Sequence, residues 1–292
     1  MTQASQSQLI TAKSGSNLAA AFFLLPKANR RGMVALYAFC REVDDVADDD
    51  AVTLAKRAEI LQQWRDDIRR ACEWGEPQFE VCRELRPFIR EYNLPFSLFN
   101  ELLIGMESDL EKTRYRDFDE LRLYCHRAAS VVGLLSIRIF GCDGELAQRY
   151  AENLGQALQL TNILRDVAED AERGRIYLPQ SMLEKHSVDE SDVLEGRFTV
   201  GYGNAAQEIA ERAWAHYRLA RESLPHDQKH RLVASEAMGA IYWRLLMKLR
   251  AARYDVFGSN RGKLKTSRLA KLGIGLKTWL CLNRNAYRPI YG

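Results

Sequence analysis

Apolar positions recur at three- and four-residue spacings along most of this chain, the period of a helix with one buried face. Leu154, Leu158, Thr161 and Arg165 follow one such line, flanked by Ala157, Leu160 and Leu164, and no proline interrupts the sequence between Pro95 and Pro179. Runs of alternating β-branched residues closed by Asn-Gly or Asp-Gly, the mark of hairpins, are missing. Breaks are predicted at Pro26, Gly75 to Pro77, Asn93 to Pro95, Gly141 to Gly144, Gly174 to Pro179 and Gly201 to Asn204. They divide the chain into about eight to ten helices. No Ser/Gly-rich linker and no repeat of solenoid period intervenes. The pattern therefore predicts an all-α protein with one domain over residues 1–292, its N-terminal 1–13 loose and its 261–292 segment basic. The apolar stretch Leu18 to Leu25 lacks the basic lead and the small-residue site of a secretory signal, so it is predicted to be a buried helix.

Composition narrows this little. Of the 292 residues 47% are hydrophobic and 28% charged, which excludes fibrous and disordered classes. No run of about 18 apolar residues could cross a bilayer. The six cysteines form no CxxC pair and the five histidines no ligand cluster, pointing to reduced thiols and a cytoplasmic protein rather than a zinc site or disulfide scaffold. A formal net charge of +3 gives no reason to expect nucleic acid, but its distribution is uneven. Arg41 to Asp50 holds six acids and one base, and Arg261 to Gly292 holds eight bases and no acid.

The acidic segment carries chemistry. Tyr37, Arg41, Asp44 and Asp48 are spaced four, three and four, so they share one helical face beside apolar Leu36, Cys40, Val43 and Ala47. Carboxylates at i and i+4 repel, and a hard cation between them reverses that sign; Mg²⁺ suits a site of one or two carboxylates completed by waters and phosphates. A lone pair of this kind is usually a solvated face. A second stripe alters the balance: Gln159, Asn162, Asp166 and Asp170, spaced three, four and four, present oxygens from one face among Leu158, Leu160, Ile163, Leu164 and Val167. Arg173, Arg175 and Tyr177 follow directly, and guanidinium forks suit phosphate. Two acidic helices ringed by Arg41, Arg173 and Arg175 around an apolar space are expected to hold a diphosphate through Mg²⁺ and to assist its departure from an allylic carbon. A dry, aromatic lining would protect the carbocation, with Phe22, Phe23, Tyr37, Phe39 and Tyr124 as candidates, although core packing is the commoner fate of such residues.

At these residues the chain resembles the squalene/phytoene synthase family, from about Ser14 to about Leu280. The resemblance rests on Leu24-Leu-Pro26, Tyr37 through Asp48, Gly105-Met-Glu-Ser-Asp109, Tyr124 through Gly133 and Gln159 through Pro179. Within the family, Tyr37 to Asp49, Ala240-Ile-Tyr-Trp-Arg244 and the basic tail with Lys277-Thr-Trp-Leu280 look most like the bacterial presqualene diphosphate synthases of hopanoid biosynthesis. The resemblance implies an isoprenoid-synthase helical bundle around a central apolar cavity that joins two farnesyl diphosphates head to head. It implies two or three Mg²⁺ ions on Asp44, Asp48, Asn162, Asp166 and Asp170, and no NADPH. Arg41, Gln159, Asn162, Arg165 and Arg173 would meet diphosphate; Tyr37, Arg41, Tyr124, Gln159 and Tyr177 would serve the reaction. Either a phenol such as Tyr124 or the released diphosphate would take the proton lost on cyclopropane closure. Two departures stand out: small side chains over Ser16 to Ala21, and the charged Arg127, which would contact phosphate or face solvent.

Other readings remain open. A squalene synthase would go on to reduce the C30 intermediate with NADPH, and a phytoene synthase would take a C20 substrate. Asp44-Asp45-Val-Ala-Asp48 also fits the DDxxD of chain-elongating prenyltransferases and terpene cyclases, but the second stripe is not a DDxxD. A non-enzymatic scaffold at a membrane surface would use the tail, which alternates bases with Leu, Ile and Trp from Lys263 to Arg284; the same tail could instead be a solvated helix or close over diphosphates. Peripheral contact with lipid at the inner membrane surface and with downstream isoprenoid enzymes is compatible with farnesyl substrates.

Overall fold

Helices account for nearly all the regular structure of the computed structural model, which describes residues 4–14, 21–73, 75–260, 264, 267–283 and 287–292. Thirteen α-helices occur among the described residues: α1 (Gln6–Ser14), α2 (Lys27–Asp48), α3 (Leu54–Cys72), α4 (Glu80–Glu91), α5 (Phe96–Glu111), α6 (Phe118–Cys125), α7 (Val131–Ile139), α8 (Gly144–Glu172), α9 (Gln180–Lys185), α10 (Glu190–Leu194), α11 (Val200–Glu222), α12 (Val233–Ala251) and α13 (Arg268–Asn283). A π-helical segment, His126–Ser130, joins α6 to α7. The described residues contain no strand, only an isolated bridge between Arg114 and Ile176. The all-α expectation is met.

Local chemistry sets the boundaries. Thr53, Asp117 and Thr199 cap α3, α6 and α11 by accepting from backbone N–H groups inside the first turn, at 3.4, 2.9 and 3.1 Å. The end of α2 is closed from a distance: the buried Arg57 guanidinium donates to the carbonyls of Ala47 and Val52 at 3.0 and 2.9 Å. Helix α8 ends where Gly174, at φ +72°, lets Arg175 N–H bond back to the Asp170 carbonyl at 2.9 Å. That turn throws Arg173 and Arg175 back toward α2.

Two expectations need correction. Residues 6–14 are not loose: they form α1, packed on α2 and α4, with the Glu84 carboxylate accepting from the N–H groups of Gln6 and Ser7 at 2.9 and 3.0 Å. Gly201 to Asn204 is no break, because the Thr199 cap starts α11 at Val200 and outweighs the modest cost of glycines in a first turn. Of Leu18 to Leu25, Ala21 is buried and α-helical, and Phe22–Leu24 continue as a 3₁₀ turn. Residues 15–20, with most of the Ser16 to Ala21 departure, lie outside the described residues, as does part of the basic tail.

The buried apolar residues form one continuous cluster. Its most intimate contact is α8 on α11, where Ala205, Ala206, Ala210, Ala213 and Ala220 let the two helices approach. A cavity of about 330 Å³ opens between α2, α5, the π-helical segment with α7, α8 and α12. At its floor Tyr150 donates to the fully buried Glu236 at 2.5 Å, and Tyr291 donates to the same oxygen, tying the C-terminal segment to α12. Burial pushes the Glu236 carboxyl upward.

Gly155 on α8 sits against the π-helical backbone: a Cβ there would lie 2.5 Å from Ser130 Cα. Gly155→Ala must therefore displace the segment that walls the cavity. Urea denaturation is expected to show a loss of about 1–3 kcal/mol; an unchanged midpoint would mean the two backbones are not packed this way.

Candidate active site

Helix periodicity puts Tyr37, Arg41 and Asp44 of α2 on the cavity wall, facing Gln159 and Asn162 of α8. Leu102 and Met106 of α5, Ala128 and Ala129 of the π-helical segment, and Met238 and Tyr242 of α12 complete a mostly apolar lining. Tyr37, Arg41 and Asp44 of one stripe and Gln159 and Asn162 of the other thus open on one space, while Asp48, Asp166 and Asp170 are not among its lining residues. Of the five candidate aromatics only Phe22 and Tyr37 line it, their rings 5.9 Å apart edge to face. Phe23 points outward at 44% exposure, and Phe39 is locked in the core against Trp64 and Phe99. Tyr124 is buried beside the cavity rather than in its wall.

At the mouth, carboxylates and guanidiniums are paired. Arg41 bonds Asp44 and Asp45 at 3.0 and 2.5 Å. Arg173 and Arg175 both reach across to Asp48, at 2.9 and 3.1 Å, and so bridge the end of α8 to α2. Arg165 grips Asp166 with two bonds of 2.6 and 2.5 Å, and its guanidinium is also met by Tyr242. No ion pair among the described residues reaches Asp170; burial first, then the Asp166 charge, pushes its carboxyl up to about 7. Desolvation and the Asp48 charge also raise Asp44, though 45% of its side chain is exposed and solvent screens part of this. These are groups short of positive charge.

The donors fit Mg²⁺. Asn162 turns its amide nitrogen to Gln159 Oε1 at 3.3 Å and leaves its own Oδ1 buried with no partner. An orphaned buried oxygen beside carboxylate pairs suits a hard cation. No three acidic, histidine or cysteine side chains among the described residues form a ready-made cage, so the protein offers pairs, Asp44 with Asp48 and Asp166 with Asp170. Phosphate oxygens and water would complete the shell.

Behind Arg175 lies a cluster that spacing alone did not reveal. Asp109 of α5 accepts from Tyr124 Oη at 3.0 Å and from Tyr177 Oη at 3.1 Å, with Tyr115 stacked on Tyr177 at 5.5 Å. Tyr177 is carried there by the chain after Gly174, which runs beside residues 113–116 through Ile176 N–H to the Thr113 carbonyl at 3.0 Å. Burial lifts the Asp109 carboxyl to about 7 against the pull of Arg175 and the two phenols. Burial and then the Asp109 charge hold Tyr124 well above its ordinary value. Tyr124 is thus a neutral donor at rest and not poised as a base. A signal for Asp109 existed: it continues the Leu102–Met106 face of α5 at helical spacing. Arg127, left open between phosphate and solvent, pairs with Glu101 at 2.9 Å with its side chain partly exposed.

Asp109 should therefore titrate near neutrality. In the Tyr177→Phe variant, one donor to its charged form is lost and the carboxyl should titrate higher still. Carbon-detected NMR of labelled aspartate checks both; a midpoint near 4 would contradict this environment.

The comparisons agree with this geometry. The squalene/phytoene synthase family model matches residues 11–270. The presqualene diphosphate synthase of Rhodopseudomonas palustris is 37% identical over 264 residues, covering 90% of this chain and 92% of that protein. That of Zymomonas mobilis is 38% identical over 269 residues, covering 92% and 90%. The phytoene synthase of Mycobacterium tuberculosis is also similar, 36% identical over 269 residues, covering 88% and 86%. Among solved structures, a dehydrosqualene synthase in complex with ligand superposes with a TM-score of 0.82 at 26% identity over 95% of each chain. Squalene synthase HpnC from Alicyclobacillus acidocaldarius gives 0.69 at 26% identity, covering 97% of this chain and 94% of that one. An apolar cavity with paired acids and arginines at its mouth, in a chain so matched along its length, belongs to the squalene/phytoene synthase family.

Proposed function

We propose that this prenyltransferase-type enzyme condenses two farnesyl diphosphates head to head into presqualene diphosphate. The observation that carries the reading is the cavity itself: a mostly apolar volume whose wall also bears Arg41, Asp44, Gln159 and Asn162, with Arg173 and Arg175 bonded to Asp48, the next acid along the Asp44 face. An apolar chain fits the first part and a diphosphate the second. The named similarity to two presqualene diphosphate synthases favours the C15 substrate.

Mg²⁺ bound through Asp44, Asp48, Asn162, Asp166 and Asp170 would supply the positive charge that stabilises diphosphate as a leaving group. Arg41, Arg165, Arg173 and Arg175 would orient phosphate oxygens through their forks. The allylic carbon–oxygen bond breaks with its electron pair on diphosphate, and the 2,3 double bond of the second chain attacks the freed carbon. That carbon then loses a proton as the cyclopropane closes. Phe22 and Tyr37 offer ring faces to positive charge, and the apolar wall excludes water. Because Tyr124 is buried outside the cavity wall, the departed diphosphate is the better acceptor for the proton. Asp109, Tyr124 and Tyr177 would hold Arg175 and the rim in register. The site of action we propose is cytoplasmic, against the inner membrane surface; no helix among the described residues is long and apolar enough to cross it.

Mass spectrometry of products from farnesyl diphosphate alone tests this. Presqualene diphosphate should accumulate without isopentenyl diphosphate and persist when NADPH is added; squalene appearing with NADPH would overturn the assignment, and a longer linear diphosphate on adding isopentenyl diphosphate would indicate elongation. Asp44→Ala and Asp170→Ala should each cost about 10²–10⁴ in kcat/KM with the circular dichroism spectrum retained, as should chelation of Mg²⁺. Full turnover by either variant would refute the metal assignment.

A further inference from the structure

Helix α13 is apolar on both sides. Ile274, Gly275, Thr278 and Leu282 are buried, facing α12 and the Phe22–Leu24 turn. The opposite side carries Leu272, Leu276, Trp279 and Leu280 at i, i+4, i+7 and i+8, each between 39% and 53% exposed. Phe23 joins them, since its ring lies against α13 at Gly275 and is 44% exposed. Large apolar side chains gathered on one exposed face usually mark a contact surface.

Charge tells what would cover it. All 39 acidic residues lie between Glu42 and Asp255. Residues 1–41 and 256–292 hold thirteen bases and no acid, and these two acid-free ends of the chain meet where the Phe22–Leu24 turn packs on α13. Exposed Lys277 on α13 and Lys27, four residues after Phe23, flank the apolar face. A second copy of this chain would bring cationic rim to cationic rim. An anionic bilayer accepts both halves of the surface, the apolar row at the acyl boundary and the bases among headgroups.

We propose that the outer face of α13, with Phe23, is a docking surface for anionic phospholipid membranes. Phe22, the neighbour of Phe23, lines the cavity. The same short turn thus has one ring inside the prenyl-binding space and the next on the lipid-facing side, so apolar substrate and product would travel a short, oily path between bilayer and cavity. The purpose rests on the proposed function; the binding itself does not.

Co-sedimentation of the full chain with vesicles tests it. Binding is expected to vesicles of phosphatidylcholine containing about one-third phosphatidylglycerol, and to be roughly tenfold weaker with phosphatidylcholine alone or in high salt. The Leu276→Asp/Trp279→Ser variant should lose roughly tenfold in vesicle affinity while keeping its circular dichroism spectrum and its turnover of detergent-dispersed substrate. Brominated lipid should quench the wild-type fluorescence more than that of Trp279→Phe. A wild-type chain that stays in the supernatant, a double variant that binds as well as wild type, or a lipid-free dimer dissolved by the double variant would each overturn the proposal. Product analysis without vesicles reports separately on the reaction.

Discussion

Repulsion between like charges is the constraint around which this molecule is organised. Asp44, Asp48, Asp166 and Asp170 stand on two helices around one mouth, with Asp109 behind them; burial first, and then neighbouring carboxylates, raise the cost of charging Asp44, Asp109 and Asp170. Here α2 is held by α1, α4 and α5, and α8 by α11, so the acids stay close because the packing behind them is extensive. The α8–α11 contact, built from alanines, supplies a stiff support on the side away from the cavity. The bundle keeps unfavourable electrostatics in place, the usual arrangement where a fold holds groups ready for a ligand.

What the sequence disclosed, and what it withheld, follows from the range of each interaction. The stripes Tyr37–Arg41–Asp44–Asp48 and Gln159–Asn162–Asp166–Asp170 were legible because a helix is periodic, and the leading residues of each, through Asp44 and Asn162, do line one cavity. Breaks at Pro26, Asn93 to Pro95 and Gly174 to Pro179 were legible for equally local reasons. The order of α1 was not, since its first N–H groups are capped by Glu84, 77 and 78 residues away. Nor could spacing show that Phe39 turns to Trp64 while Phe22 and Tyr37 face inward, because neighbouring rings on one segment differ only in tertiary direction. Asp109 and Tyr242 needed partners from other elements before their positions acquired meaning.

Burial gives the site a division of labour between its two ends. At the floor, behind Tyr150, the Tyr150–Glu236–Tyr291 contacts join a carboxyl that burial pushes upward to phenols that donate to it. At the rim, acids remain partly solvated, and Arg173 and Arg175, long enough to reach phosphate, stand on either side of Gly174. Behind the rim, the rings of Tyr115, Tyr124 and Tyr177 pack on one another around the buried Asp109.

The arginine bridges at the mouth have one further consequence. With Arg41 on Asp44, Arg173 and Arg175 on Asp48, and Arg165 on Asp166, the resting site is in effect an internal salt. A cation arriving together with an anionic group would not fill an empty charged hole. It would undergo metathesis, acids passing to the incoming cation and guanidiniums to the incoming anion, with the total charge of the mouth nearly constant throughout. Opening and loading then become one event, since the bridge between α8 and α2 breaks only as its two halves find new partners.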